Sequence, residues 1–201
     1  MNITSILQSI VFQLILSLSL FGFLVPTNLF AEEASKKAAS EIRVLGLDLM
    51  ESDPKSVRKH LQALGGFLQA KSTIKQTNID KFFPWSNQRD SYYITFRYNA
   101  SGKITSVKRL YRPYSLEVAN KRTAIATKDI AQGFIQELGQ PNSVIRKGWG
   151  GTQKYHAYTW KDDKVTIRVD REGSEKLGNV FIEYTINIHD PYEVVKEEGD
   201  A

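Results

Sequence analysis

The stretch Gln136-Glu-Leu-Gly-Gln-Pro-Asn-Ser143 decides how the chain divides. It reads as a helix that stops at Leu138-Gly139 and a strand that starts beyond Pro141. Glycine accommodates the left-handed turn that closes a helix, and proline forbids its continuation. An earlier version stands at Leu61-Gln-Ala-Leu-Gly-Gly-Phe67. Displacing the sequence by 74 residues sets Val57 on Ala131, Leu61 on Ile135, Leu64 on Leu138 and Gly65 on Gly139. Asp53 falls on Thr127, and both residue types cap helices. This agreement is that of a duplication. The competing reading is two unrelated helices that share a generic amphipathic face.

Working outward, Ile42–Leu49 alternates loosely and is predicted to be a first strand. Asp53 is the expected N-cap of a helix with Pro54 at its first position. Val57, Leu61 and Leu64 form its apolar face, and Gly65-Gly66 ends it. A weak strand is predicted over Phe67–Lys75. Tyr92, Ile94, Phe96 and Tyr98 alternate strictly and demand a strand. Asn99–Lys103 reads as a hairpin turn, with a return strand over Ile104–Arg112. After a basic connection, Thr127 is the expected cap of a second helix that carries Ile130, Ala131, Phe134, Ile135 and Leu138 on one face. Strands follow near Ser143–Lys147, Lys154–Trp160, Lys164–Arg171 and Asn179–Ile188, with a tight turn at Asp162-Asp163. The expected class is α+β: two tandem units, each one helix packed on an antiparallel sheet of three to four strands. The units span 41–118 and 119–189, between a linker at 32–40 and a disordered acidic tail at 190–201.

Gly46-Leu-Asp-Leu49, the Val and Leu helix, Leu138-Gly-Gln-Pro141 and the aromatic hairpins together resemble the repeat of the β-lactamase-inhibitor-protein-like fold. They are similar also to the SmpA/OmlA family of small outer-membrane lipoproteins. Each half carries only part of the motif. The first has Gly-Leu-x-Leu but Gly-Gly in place of Gly-x-Pro, and the second has Leu-Gly-x-Pro without a clear leading strand. The resemblance covers about residues 42–188. It implies helices layered on an antiparallel sheet that serves protein–protein contact in the cell envelope. SmpA-type proteins are lipidated on cysteine, and this chain of 201 residues has none.

Residues 1–31 contain no Lys, Arg, Asp or Glu, and an apolar run from about Ile10 to Val25 precedes Ala31. This reads as a signal peptide, with the α-amino group as its only positive charge. An uncleaved anchor is the alternative, although Gln8, Gln13 and several serines interrupt the run. Export places the chain in the periplasm or outside the cell, with no integral span after cleavage. The net charge of +5 is scattered over the sequence. Scattered charge reads first as a solvated surface, it also suits an anionic surface or an acidic partner, and nucleic-acid binding fits poorly with export.

Absence of cysteine excludes disulfides, thiolate nucleophiles, Cys-zinc sites and iron–sulfur clusters. His60, His156 and His189 share no ligand spacing, so no metal and no cofactor are expected. No nucleophile motif stands out, and Gly148-Trp-Gly-Gly151 lacks the helix that a phosphate loop needs. The expectation is therefore not an enzyme. Two aromatic stretches taken as loops carry the candidate protein-binding residues: Phe82, Phe83 and Trp85 in Lys81–Asp90, and Trp149 and Tyr155 in Lys147–Tyr155. Large aromatics in loops either fold onto the core or anchor an interface. The leading expectation is an exported, non-catalytic binding protein that meets a protein partner in the cell envelope through its sheet face and aromatic loops. A periplasmic carrier of a small molecule or lipid is the alternative. A hydrolase without a recognisable motif is a third.

Overall fold

Asp53 caps the first helix as the sequence demands: its carboxylate accepts from the Ser56 amide at 2.7 Å, and the Asp53 amide donates to the Ser56 hydroxyl. This helix, α1, runs Pro54–Leu64. The second, α2, runs Thr127–Leu138. The computed structural model describes residues 36–117, 122–148, 154–173 and 178–193. The proposed signal peptide at 1–31 lies outside the described residues.

The strands are β1 (Phe67–Gln69), β2 (Ile79–Pro84), β3 (Ser91–Tyr98), β4 (Ile104–Tyr111), β5 (Ser143–Lys147), β6 (Tyr155–Lys161), β7 (Val165–Glu172) and β8 (Asn179–Ile186). All eight form one antiparallel sheet in the order β1-β2-β3-β4-β8-β7-β6-β5. The expected two tandem helix-on-sheet units are thereby corrected. The chain is mostly β, with one continuous sheet and only two α-helices among the described residues. Strands β4 and β8 join edge to edge, with Val107 opposite Tyr184 and Lys108 opposite Glu183. Each would otherwise be an edge strand with unpaired backbone groups. A single buried cluster runs through both halves, from Val57, Phe82 and Phe96 to Trp160, Ile167 and Ile182.

Because the side-chain period of a strand is two, the register fixes the two faces of the sheet. Phe82, Ile94, Arg109, Ile182, Val169, Tyr158 and Val144 make one row across seven strands. The helices pack on this side: Phe134 of α2 lies 5.3 Å from Trp160 and 6.3 Å from Tyr184, ring centre to ring centre. The opposite row is Lys81, Thr95, Lys108, Glu183, Arg168, Thr159 and Ser143, and among the described residues no helix packs on it.

Several local expectations are also corrected. Ile42–Leu49 is a turn closed by a Val44–Leu47 bridge, with positive φ at Leu45 and Gly46. Ile42, Val44, Leu47 and Leu49 are buried without a strand to carry them. The strand expected over Phe67–Lys75 stops at Gln69, and a 3₁₀ turn follows at Lys71–Thr73. The N-cap of α2 is Ala126, which makes no side-chain cap, while Thr127 is buried inside the helix. The linker expected at 32–40 is packed where it is described: the Lys37 amide donates to the Glu137 carbonyl, and the Ser40 amide donates to Asp162. At the other end, Asn99 donates to the Asp190 carbonyl and to Glu193, which holds the first part of the expected tail.

Asp80 anchors the first half from β2. Its carboxylate is fully buried and accepts from Arg58 at 2.9–3.0 Å, Gln69 at 2.6 Å and Tyr98 at 3.1 Å. Burial, then the neighbouring Asp80 charge, pushes the Tyr98 hydroxyl far up, so it remains a donor. Asp80→Ala leaves three donors without their acceptor and is expected to cost about 3 kcal/mol. Asp53→Ala, which removes only the cap, is expected to cost about 1 kcal/mol. Urea denaturation of the two variants checks the difference.

Candidate functional site: the helix-free face

The site candidate is the helix-free face, and its apolar end lies at the β1–β2 edge. Sequence reading takes Lys81–Asp90 as a loop, but β2 continues to Pro84, and the period of two then separates its aromatics. Phe82 points into the core, 4 % exposed, with its ring edge-to-face on Phe96 at 6.1 Å. It is thus a packing residue and unavailable to a partner. Phe83 points the other way, 38 % exposed, opposite Leu68 of β1, which is 65 % exposed. Trp85, one residue beyond β2, donates its amide to the Gly66 carbonyl at 2.9 Å and leaves its side chain 70 % exposed. Gly66 is needed here: φ is +75°, and a Cβ would lie 2.4 Å from Ser86 Oγ and 2.9 Å from the Asn87 amide.

Cations tie this end to the rest of the face. Lys81 Nζ sits 3.9 Å from the ring centre of Tyr93 and 5.3 Å from that of Phe83. Arg112 stacks on Tyr92, whose ring touches that of Tyr93. Sequence reading does not name Leu68, Tyr92 or Tyr93 as binding residues. Leu68 belongs to a three-residue strand whose position is set by its pairing with Phe83, and no local pattern announces that.

Farther along, the same face is charged. Phe181 is buried beneath Lys108 and Arg168, whose charged groups lie 4.3 and 5.1 Å from its ring centre. Lys108 pairs with Glu172. Asp170 is buried and accepts from Lys147 at 2.6 Å and from the Tyr155 hydroxyl at 3.0 Å. Tyr155 is therefore part of a carboxylate network some strands away from Trp85, and the structure does not bring it to the Phe83 end. Trp149 lies outside the described residues.

Burial alone would raise the Asp170 carboxyl. Hydrogen bonds from Lys147, the Arg171 amide and Tyr155 outweigh it and hold the group below the usual carboxylate range. The histidines are spread: His60 Nε2 donates to the Leu45 carbonyl and His189 Nδ1 to the Ile104 carbonyl, each at 2.7 Å. Among the described residues, no three His, Asp or Glu side chains gather as a metal site would require. Among them, too, no helix is long and apolar enough to cross a membrane.

No family model and no curated protein matches the chain. A solved structure of a DUF4309 family protein, YjgB from Bacillus subtilis, is similar at 10% identity and a TM-score of 0.41. The likeness covers 73% of this chain and 88% of that one. A likeness of this size defines neither fold nor function.

The folded Asp170 pKa lies below its unfolded value. Between the two, the unfolded chain binds the extra proton, so stability rises with pH across that window. The contribution is complete above about pH 4 and is lost as pH falls through the folded value. Asp170→Asn is expected to lower stability at neutral pH and to flatten the acid limb. Urea midpoints measured across the acid range test this, and an unchanged acid limb would contradict it.

Proposed function

We propose that the chain is an exported, non-catalytic binding protein of the cell envelope that docks a protein partner on its helix-free sheet face. The observation that carries this reading is the exposed Leu68–Phe83–Trp85 group, beside the rings of Tyr92 and Tyr93. Exposed apolar side chains that cluster mark contact surfaces, and tryptophan and tyrosine anchors supply most of the energy of an interface. Lys81 and Arg112 border the group, so the fitting partner has an apolar centre and an acidic rim. Export rests on the uncharged, apolar first 31 residues. The family resemblance points to the same kind of contact.

The carrier alternative draws less support. A lipid or small apolar cargo needs a deep apolar cavity. The cleft of about 810 Å³ beside α1 is open and has polar walls that include Arg58, Gln76, Asn78 and Asn99. Along α1 and the body of α2, the described side chains that face the sheet pack into the shared core.

The test is capture of partners from envelope extract of the source organism, with the full chain and its Trp85→Ala and Leu68→Ala variants as bait. A discrete protein retained by the native chain should be lost from both variants. In a direct titration, Trp85→Ala should weaken binding by about 30-fold or more. Thermal unfolding should stay close to native, since both side chains are exposed. A partner retained equally by all three baits, or a copurifying small molecule in place of a protein, contradicts the proposal.

A further inference from the structure

A second surface, on the helix side of the other half, has the chemistry of an anion site. A cavity of about 440 Å³ opens between the start of α2 and strands β6 and β7. Ala124, Ala126, Tyr155 and Tyr158 give it carbon walls, while Lys128, Lys154, His156 and Arg171 bring nitrogen to it. Among the described residues, no carboxylate lines it.

Arg171 is the centre of the argument. Its two terminal nitrogens donate to backbone carbonyls, Gly178 at 3.1 Å and Ile125 at 3.0 Å. Those bonds fix the guanidinium without neutralising it. Its Nε is buried and meets no acceptor among the described residues, where no other buried side-chain nitrogen or oxygen is left so. Among those residues, it also forms no ion pair: the nearby Asp170 is engaged by Lys147 and Arg168, and Glu172 by Lys108. A partly buried cation held by carbonyls, with one N–H unsatisfied, is an expensive arrangement in a folded protein. Each terminal nitrogen keeps a second N–H beyond these bonds, and an anion in the cavity would neutralise the guanidinium through them.

The surroundings agree independently. The carbonyl that Arg171 holds belongs to Ile125, the residue before the N-cap of α2. That cap is Ala126, which supplies no side-chain acceptor, so the first amides of a twelve-residue helix have no cap oxygen. Lys128 and Lys154 are exposed and carry no ion pair among the described residues. The ring of Tyr155 lies 5.8 Å from the Arg171 guanidinium, and that of Tyr158 stacks toward Trp160. Flat apolar walls beside a fixed cation suit a ligand with an anionic head and a planar body.

We propose that this cavity binds a small aromatic anion, its phosphate or carboxylate on Arg171 and Lys128 and its ring against Tyr155 and Tyr158. Phosphate and carboxylate share the chemistry that a guanidinium recognises, and the assay separates them. Tyr155 reaches Asp170 on the helix-free face with its hydroxyl, and the site does not depend on the Leu68–Phe83–Trp85 group at the other end of the sheet.

The experiment titrates the full chain by calorimetry with phenyl phosphate, benzoate and inorganic phosphate. Phenyl phosphate or benzoate should bind saturably at one site, whichever is tighter identifying the head group, and inorganic phosphate more weakly than phenyl phosphate. Arg171→Gln should weaken the tighter ligand by about 10-fold or more. Because that variant also alters the fold locally, Lys128→Ala and Lys154→Ala are measured beside it. Each should lose affinity by a few-fold with an unchanged thermal midpoint, since both side chains are exposed. Saturable binding of none of the three probes overturns the proposal. So does binding that the lysine variants and Arg171→Gln leave unchanged, which would put the ligand elsewhere. Inorganic phosphate binding as tightly as phenyl phosphate overturns the aromatic part.

Discussion

The antiparallel pairing of β4 with β8 is the constraint on which the molecule depends. Each is the last strand of its half, and each would expose a row of backbone donors and acceptors if left alone. Paired, they turn two four-stranded meanders into one sheet of eight. The join also brings Val107 and Tyr184 together in the middle of the core, so apolar burial and ladder hydrogen bonds reinforce one another there. The N-terminal segment strengthens the same union, because residues 37 and 40 hydrogen-bond to α2 and to the β6–β7 turn of the other half.

From that pairing the division of labour between the faces follows. Both helices cover one side, where α1 meets Asp80 and α2 meets Trp160 and Tyr184. The other side is left to its own side chains. Over most of its width it solves this with charge: Lys108 and Arg168 lie over Phe181, and Lys147 and Tyr155 satisfy Asp170. Such groups shield apolar surface with their stems while keeping their heads in water. At the β1–β2 end Lys81 reaches over Phe83, but Leu68 and Trp85 stay 65 % and 70 % exposed, and that contrast within a single face is why a partner is assigned to it.

How much of this was legible in the sequence depended on whether local chemistry or long-range pairing set the outcome. Asp53 and Pro54 announced α1, and the alternation of Tyr92 through Tyr98 announced β3, because caps and period-two patterns act over a few residues. The merging of the halves was invisible: β4 and β8 read the same whether they end two sheets or join one. Ile42–Leu49 misled because buried apolar residues can sit in a tight turn as well as in a strand, and Leu45 and Gly46 take positive φ. In the candidate site, Phe83 and Trp85 could be picked out by residue type. Phe82 could not be separated from them until β2 was recognised, and Pro84 obscured that strand because proline is tolerated only at a strand's end or edge. Arg171 was hidden for a simpler reason: its unsatisfied Nε is a property of packing, which no short motif encodes.

If the two halves are one cooperative body, a defect in one must loosen the other. Native-state hydrogen exchange on Phe96→Ala tests this directly, since Phe96 is fully buried in β3 and far along the sheet from β7. The variant removes about 3–5 kcal/mol of packing. The account predicts that the slowest amides of β3 and of β7 lose protection by the same amount. Loss confined to β2 and β3, with β6 and β7 as protected as in the native chain, would contradict it and restore two independent units.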